Sequence, residues 1–347
     1  MSEIVKLENI SKAFRRGGIL RREYVWAVRN ASLAIASGSR IAVVGESGSG
    51  KTTLARIISG LEKPSNGYVY WFGKRVDELS EKEFRELREK IQYVHQDPYT
   101  SLNPVRTVYD TLADPLRKRG TDNVEERVKE LLRLVKITPP EYFFNKFPYH
   151  LSGGMRQRLA IARALTASPH LIVADEPISM VDMSLRVSVL DVLLGLNREV
   201  GLAVMMISHD IAAAYYFARE GGLLYVMYGG RITECGPSEK VVLNPLHPYT
   251  RLLLLATPQH RKSFFRERIS MMAKYASAKG ETAIRVKEGV EVCPYIARCP
   301  FAASECESAI ELREVEAGHY VACKRLDALP GWTPPPWYWF ASKRDVV

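Results

Sequence analysis

The chain has 347 residues, 46% hydrophobic and 25% charged, the balance of an ordinary globular protein and not of a disordered or fibrous one. That length suits one large domain with an appendage, or two domains. No apolar run nears the ~18 residues that span a bilayer, and a net charge of +10 spread along the chain favours an anionic ligand or membrane surface over nucleic acid. The start, Met1-Ser2-Glu3-Ile4-Val5-Lys6, lacks a signal-peptide pattern, so an intracellular chain is expected, reaching any membrane through partners.

Residues 4–10 and 24–35 carry β-branched, alternating strand patterns. Between them lies a basic, glycine-containing stretch with Arg15, Arg16, Arg21 and Arg22, which reads as a solvated loop. Residues 40–44 read as a buried strand and 53–58 as a helix start, with Gly45-Glu46-Ser47-Gly48-Ser49-Gly50-Lys51-Thr52 between them. Residues 81–90 and 123–136 show helical spacing among charges, and 91–95 a strand. The continuous apolar runs 171–174 and 202–207 suit central strands covered on both faces. Residues 223–228 and 231–234 flank Gly229-Gly230, a two-residue hairpin signal. This alternation argues for an α/β fold with a mainly parallel sheet. Beyond Pro258 the pattern changes. Residues 261–290 read as a charged linker with partial helix, 291–325 hold four of the five cysteines, and 330–340 form a proline- and aromatic-rich tail, docked or disordered.

Four segments and the glycine-rich turn carry chemistry. The turn is a complete G-x-x-x-x-G-K-[ST] phosphate loop between strand and helix. Its backbone from Gly45 through Ser47, Gly48, Ser49 and Gly50 to Thr53 should cradle phosphates, with the helix dipole favouring negative charge. Lys51 should reach the β- and γ-phosphates and Thr52 should hold Mg²⁺. Asp175 and Glu176 end an apolar strand: Asp175 can hold Mg²⁺ and Glu176 can polarise an attacking water, unless the pair only caps the next helix. Ser152, Gly153 and Gly154 open a helix running through Ala164 and form a second phosphate-binding helix end, or an ordinary cap. One γ-phosphate cannot sit on two helix ends of one compact chain, so a dimer is expected, each chain closing the other's nucleotide. His209 follows the strand 202–207 and could hold the attacking water, or be a structural cap. Gln96, closing the strand 91–95, could ligate Mg²⁺ or that water.

In this order these segments resemble the nucleotide-binding subunit of ATP-binding cassette transporters, over about residues 4–258. Leu151 to Arg158 is similar to the family signature, Asp175-Glu176 to its Walker B end, His209 to its switch histidine and Gln96 to its Q-loop glutamine. The resemblance implies a phosphate-loop ATPase core of mainly parallel sheet, an antiparallel β subdomain and a helical subdomain at about 97–168, together spanning 1–258. It also implies ATP and Mg²⁺ as ligands and a head-to-tail dimer sandwiching two ATPs. Phe14 matches the aromatic that stacks on adenine, with Tyr24 and Trp26 as alternatives. Ile178-Ser179-Met180-Val181-Asp182 departs from the usual Ser/Thr-x-x-Leu-Asp while keeping Asp182, which bears on how two sites communicate.

A narrower likeness lies in 96–104 and 247–253, which look like the peptide, nickel and oligosaccharide importer branch. That branch implies two transmembrane permease subunits, a second and commonly non-identical ATPase chain, an external solute-binding protein, and a peripheral place on the cytoplasmic face of the membrane. It also carries a C-terminal extension with spaced cysteines, here 291–347 after a linker at 259–290. Cys293, Cys299, Cys306 and Cys323 are separated by five, six and sixteen residues. They resemble the branch's iron–sulfur pattern: a [4Fe–4S] cluster is expected, with Zn²⁺, disulfides or free thiols as the alternatives. Cys235 reads as an inert buried thiol. The expected function is the ATPase of a peptide or oligosaccharide importer. The rivals are a soluble cassette ATPase acting on nucleic acid or ribosomes, and an exporter subunit.

Overall fold

The computed structural model describes residues 2–16, 23–257 and 292–334. The expected linker, the far part of the aromatic tail, and Arg21 and Arg22 lie outside them.

Strands β1 (Glu3–Arg16) and β2 (Glu23–Ala36) pair antiparallel. β3 (Arg40–Val44) runs through the glycine-rich turn into α1 (Lys51–Ile58). β4 (Asn66–Trp71) and β5 (Lys74–Arg75) return to β1 and complete a four-stranded antiparallel sheet, order β2-β1-β4-β5. Helix α2 (Glu81–Glu89) is started by a reciprocal cap: Glu83 N–H donates to Ser80 Oγ while Ser80 N–H donates to the Glu83 carboxylate. β6 (Ile91–Val94) follows.

The helical insertion comprises α3 (Pro98–Ser101), α4 (Val108–Lys118), α5 (Val124–Leu134), α6 (Pro140–Phe143) and α7 (Gly153–Leu165). β7 (Leu171–Asp175), α8 (Met183–Val200), β8 (Ala203–Ser208), α9 (Ile211–Ala218) and β9 (Leu223–Tyr228) then alternate, as the apolar runs required. Gly229 and Gly230 take positive φ, 56° and 84°, and turn β9 into the antiparallel β10 (Arg231–Pro237). Helices α10 (Ser238–Leu243) and α11 (Pro248–Ala256) close the chain's first part. The extension adds the hairpin β11 (Arg313–Glu316) and β12 (His319–Val321).

The main sheet has eight strands in the order β11-β12-β10-β9-β3-β8-β7-β6. Strands β9, β3, β8, β7 and β6 run parallel. β10, β12 and β11 continue the sheet antiparallel, so the extension is woven into the same sheet as the core.

The continuous apolar strands are explained by two cores. Ala42, Val44, Ile172, Ala174, Val204 and Met206 face a helical layer. Their neighbours Ile41, Val43, Leu171, Val173, Met205 and Ile207 face α1 and the antiparallel sheet. With a period of two and both faces covered, every position must be apolar. Register then sets the site: Asp175 lies beside Ile207, Val44 beside Ser208, and Val94 beside Ala174. The carboxyl ends of four parallel strands therefore open on one edge, where ligands of such sheets bind.

Candidate nucleotide site and cysteine pocket

The loop from Gly45 to Thr52 connects β3 to α1, and two of its glycines are sterically required. A Cβ on Gly45 would stand 2.1 Å from the Met227 carbonyl oxygen, and one on Gly50 would stand 2.1 Å from that of Ala27. Gly50 also has φ 101°, a region side chains rarely adopt. Lys51 is buried, and its Nζ donates to the carbonyls of Gly45 (2.7 Å) and Glu46 (2.9 Å) and to Ser49 Oγ (3.3 Å). Burial lowers its pKa, partly offset by the charges of Glu176 and Asp175. Ser47 and Gly48 are exposed at the turn, while Ser49 is buried.

Thr52 Oγ1 donates to Asp175 Oδ1 at 3.2 Å, which ties the loop to the end of β7. Tyr93 from β6 donates its phenol to Asp175 Oδ2 at 2.6 Å, and burial with that carboxylate pushes the phenol's pKa up. Glu176 adopts φ 46°, a left-handed conformation uncommon for a non-glycine residue, with its N–H bonded to the Ile207 carbonyl. Its Oε2 meets His209 Nδ1 at 3.0 Å and receives Gln96 Nε2 at 3.3 Å. Asp175, Glu176, His209, Gln96 and Lys51 are thus brought together by strand ends far apart in sequence. Tyr93 escaped the sequence reading. Its signal was faint, an aromatic inside a strand.

Ser152 accepts from Met155 N–H at the start of α7. Behind it, a Cβ on Gly153 would come within 3.0 Å of the Met180 carbonyl oxygen, and Gly154 packs on Val181 and Leu185. Val181 fills a buried site, while Met180 beside Gly153 is 58% exposed and Met183, at the start of α8, is 76% exposed. Asp182 precedes α8 without a side-chain cap.

On the β1–β2 ribbon, Phe14 lies opposite Val25, whereas Trp26 lies opposite Ala13 and Tyr24 opposite Arg15. Phe14 therefore occupies one face, and Tyr24 and Trp26 the other. All three are exposed, and Lys12 Nζ stands 5.2 Å from the Phe14 ring centre.

Cys293, Cys299, Cys306 and Cys323 line one small cavity together with His247 and Tyr295. All are free thiols, as is Cys235. Burial pushes Cys293 up to about 12 and Cys299 to about 11, and also raises Cys323. Among the described residues, no three His, Cys, Asp or Glu side chains stand in an arrangement that could hold a metal ion. Nor is any described helix long and apolar enough to cross a membrane. The tail begins docked: Trp332 Nε1 donates to the Val242 carbonyl at 3.2 Å, and Arg251 covers its ring.

Residues 28–179 match the sequence profile of the ABC transporter family, and residues 233–306 that of the oligopeptide/dipeptide transporter C-terminal region. Over 309 residues the chain is 38% identical to the oligopeptide transport ATP-binding protein OppF of Escherichia coli, covering 87% of this chain and 89% of the relative. It is 37% identical over 320 residues to the di/tripeptide transport ATP-binding protein DppF of Pseudomonas aeruginosa, covering 91% and 95%. Its fold is similar to the ATP-binding cassette MJ0796, solved as a dimer in a post-hydrolysis state bound to ADP and Pi. The TM-score is 0.58 at 33% identity, over 66% of this chain and 96% of that one.

Proposed function

This chain belongs to the ATP-binding cassette transporter family and is an ATPase; from that premise we propose that it powers the import of peptides. The relatives' names favour peptides over oligosaccharides, and over the nucleic-acid or ribosome reading. Its partners are two transmembrane permease subunits and, outside the cell, a solute-binding protein. The chain sits peripherally on the cytoplasmic face, and motion of the helical insertion passes through the region from Tyr99 to Asn103.

Two cassettes close head to tail around two ATPs, with a non-identical ATPase chain as the second half. The dimeric state of the solved relative supports this, as does the exposed Met180 beside the signature glycine Gly153. Ser152, Gly153, Gly154 and Asp182 of one chain then face the phosphate loop of the other. Phe14 stacks on adenine. Lys51 and the loop amides would neutralise the phosphates, and Thr52, Asp175 and Gln96 would hold Mg²⁺, which would supply charge stabilisation there. Glu176 takes a proton from the attacking water, which His209 positions.

One observation carries the reading: the Glu176 carboxylate is held by His209 and Gln96 beside the Thr52–Asp175 pair. Glu176→Gln keeps the shape and removes the base. It should still bind MgATP, lose turnover by ~10²–10⁴-fold, and accumulate an ATP-dependent dimer with the second ATPase chain on gel filtration. Wild-type turnover in that variant would refute the role.

Cys293, Cys299, Cys306 and Cys323 line one cavity and are the donor set that a [4Fe–4S] cluster or Zn²⁺ takes, but as placed no three of them stand in ligand geometry, so either group would have to draw the thiols together. A bound cation would reverse the burial-driven rise in the thiol pKa values. Anaerobic purification decides: a brown protein with a broad absorption shoulder supports the cluster, and stoichiometric zinc in a colourless one rejects it.

A further inference from the structure

Glu46, the second residue of the phosphate loop, is held from three sides. Its carboxylate receives both Nη atoms of Arg298, at 2.7 and 3.2 Å. Its N–H donates to the Tyr249 hydroxyl at 2.7 Å. Its carbonyl accepts from Lys51 Nζ at 2.9 Å and from Ser49 N–H. Arg298 is 252 residues away in sequence, in the short turn Ile296–Arg298 between Cys293 and Cys299.

The guanidinium is itself fixed. Its Nη1 also donates to the Tyr228 hydroxyl at 3.2 Å, and it lies over the rings of Tyr228 (5.6 Å) and Tyr295 (5.7 Å). Those rings and Tyr249 pack on one another, with centres 4.6 to 5.5 Å apart. Tyr295 and Tyr249 are fully buried, and Tyr295 also lines the cysteine cavity. A continuous chain of contacts runs from that cavity through Tyr295 and Arg298 to Glu46 and Lys51.

A carboxylate on a phosphate loop is an electrostatic liability, because it repels the triphosphate that the loop must take. A bidentate arginine cancels that charge and fixes where it points. We propose that Arg298 is a positioning residue for nucleotide: it neutralises and anchors Glu46, so that the cysteine-bearing extension sets the affinity of the phosphate loop. The inference rests on the reading of this loop as the ATP site.

The test uses the purified full chain and MgATP. Arg298→Ala should raise the Kd and KM for MgATP about tenfold, the size of an ordinary coupling between two sites, and leave kcat within about twofold. Glu46→Gln removes the unpaired charge, so the double variant Arg298→Ala/Glu46→Gln should recover most of the lost affinity. Arg298→Lys keeps the charge without the fork and should fall between. An unchanged Kd in Arg298→Ala overturns the proposal. So does a double variant no better than the single, because a merely structural Arg298 gives a lower melting temperature that Glu46→Gln cannot repair. A wild-type chain that binds no MgATP sinks the nucleotide reading and this inference with it. Normal wild-type binding with an indifferent Arg298 sinks the inference alone.

Discussion

The nucleotide end and the cysteine-bearing extension sit on one sheet but are built differently. At the nucleotide end each group is delivered by a main-chain feature: a turn after β3 and the ends of β6, β7 and β8. The side-chain bonds there, Thr52 to Asp175 and Gln96 to Glu176, add finish to positions the strands already fix. The extension has short strands and few residues, so it is tied down by buried polar side chains. Glu234 of β10, fully buried, accepts from the N–H groups of Leu246 and His247 and pairs with His319 of β12 at 2.8 Å. Backbone architecture tolerates side-chain loss, whereas a short hairpin that leans on a buried carboxylate as well as on its strand pairing tolerates it less.

That contrast can be broken or sharpened by four measurements. The largest effect belongs to Gly50→Ala, which would hold a side chain at φ 101° and drive its methyl to 2.1 Å from the Ala27 carbonyl oxygen. MgATP binding should vanish in calorimetry while the extension stays docked, and retained affinity would show that the loop is not sterically set. Glu234→Ala should act in the opposite sense. It leaves two amides and His319 without their partner and should cost ~3–5 kcal/mol in denaturant unfolding; a loss below ~1 kcal/mol would mean the extension does not depend on it.

Tyr93→Phe is milder. It removes one hydrogen bond to Asp175 and should weaken Mg²⁺-dependent nucleotide binding by ~1 kcal/mol, with no effect on unfolding of the extension. The smallest effect is at Cys235, whose thiol burial pushes up to about 12. At pH 8 only ~10⁻⁴ of it is thiolate, so iodoacetamide on the native chain should leave Cys235 unlabelled. Labelling there before unfolding would place β10 in motion.

How much of this was readable follows the same division. The phosphate loop, Asp175-Glu176, Ser152-Gly153-Gly154 and the Gly229-Gly230 turn are contiguous residues whose chemistry needs that spacing, so the sequence alone displays them. The strands β7 and β8 were legible because burial on both faces forces an unbroken apolar run. β11 was not, since its four residues Arg313 to Glu316 are all exposed and mostly charged. α8 was missed because its buried residues, Val189 to Leu196, wrap much of its girth and blur the stripe. The Arg298–Glu46 and Glu234–His319 pairs join residues 252 and 85 positions apart, and nothing local announces either. The departure at Met180-Val181 resolves physically: Val181 still fills the buried site, while Met180 faces out.

The hairpin at the sheet's margin has one more effect. Any sheet must stop somewhere, and its last rung offers unpaired amides and carbonyls to whatever passes. Here the terminal rung is four residues long and carries Arg313, Glu314 and Glu316 around a single valine. So brief and charged a border is a poor template for a stray strand. On that side the extension leaves little for another copy's strand to pair with.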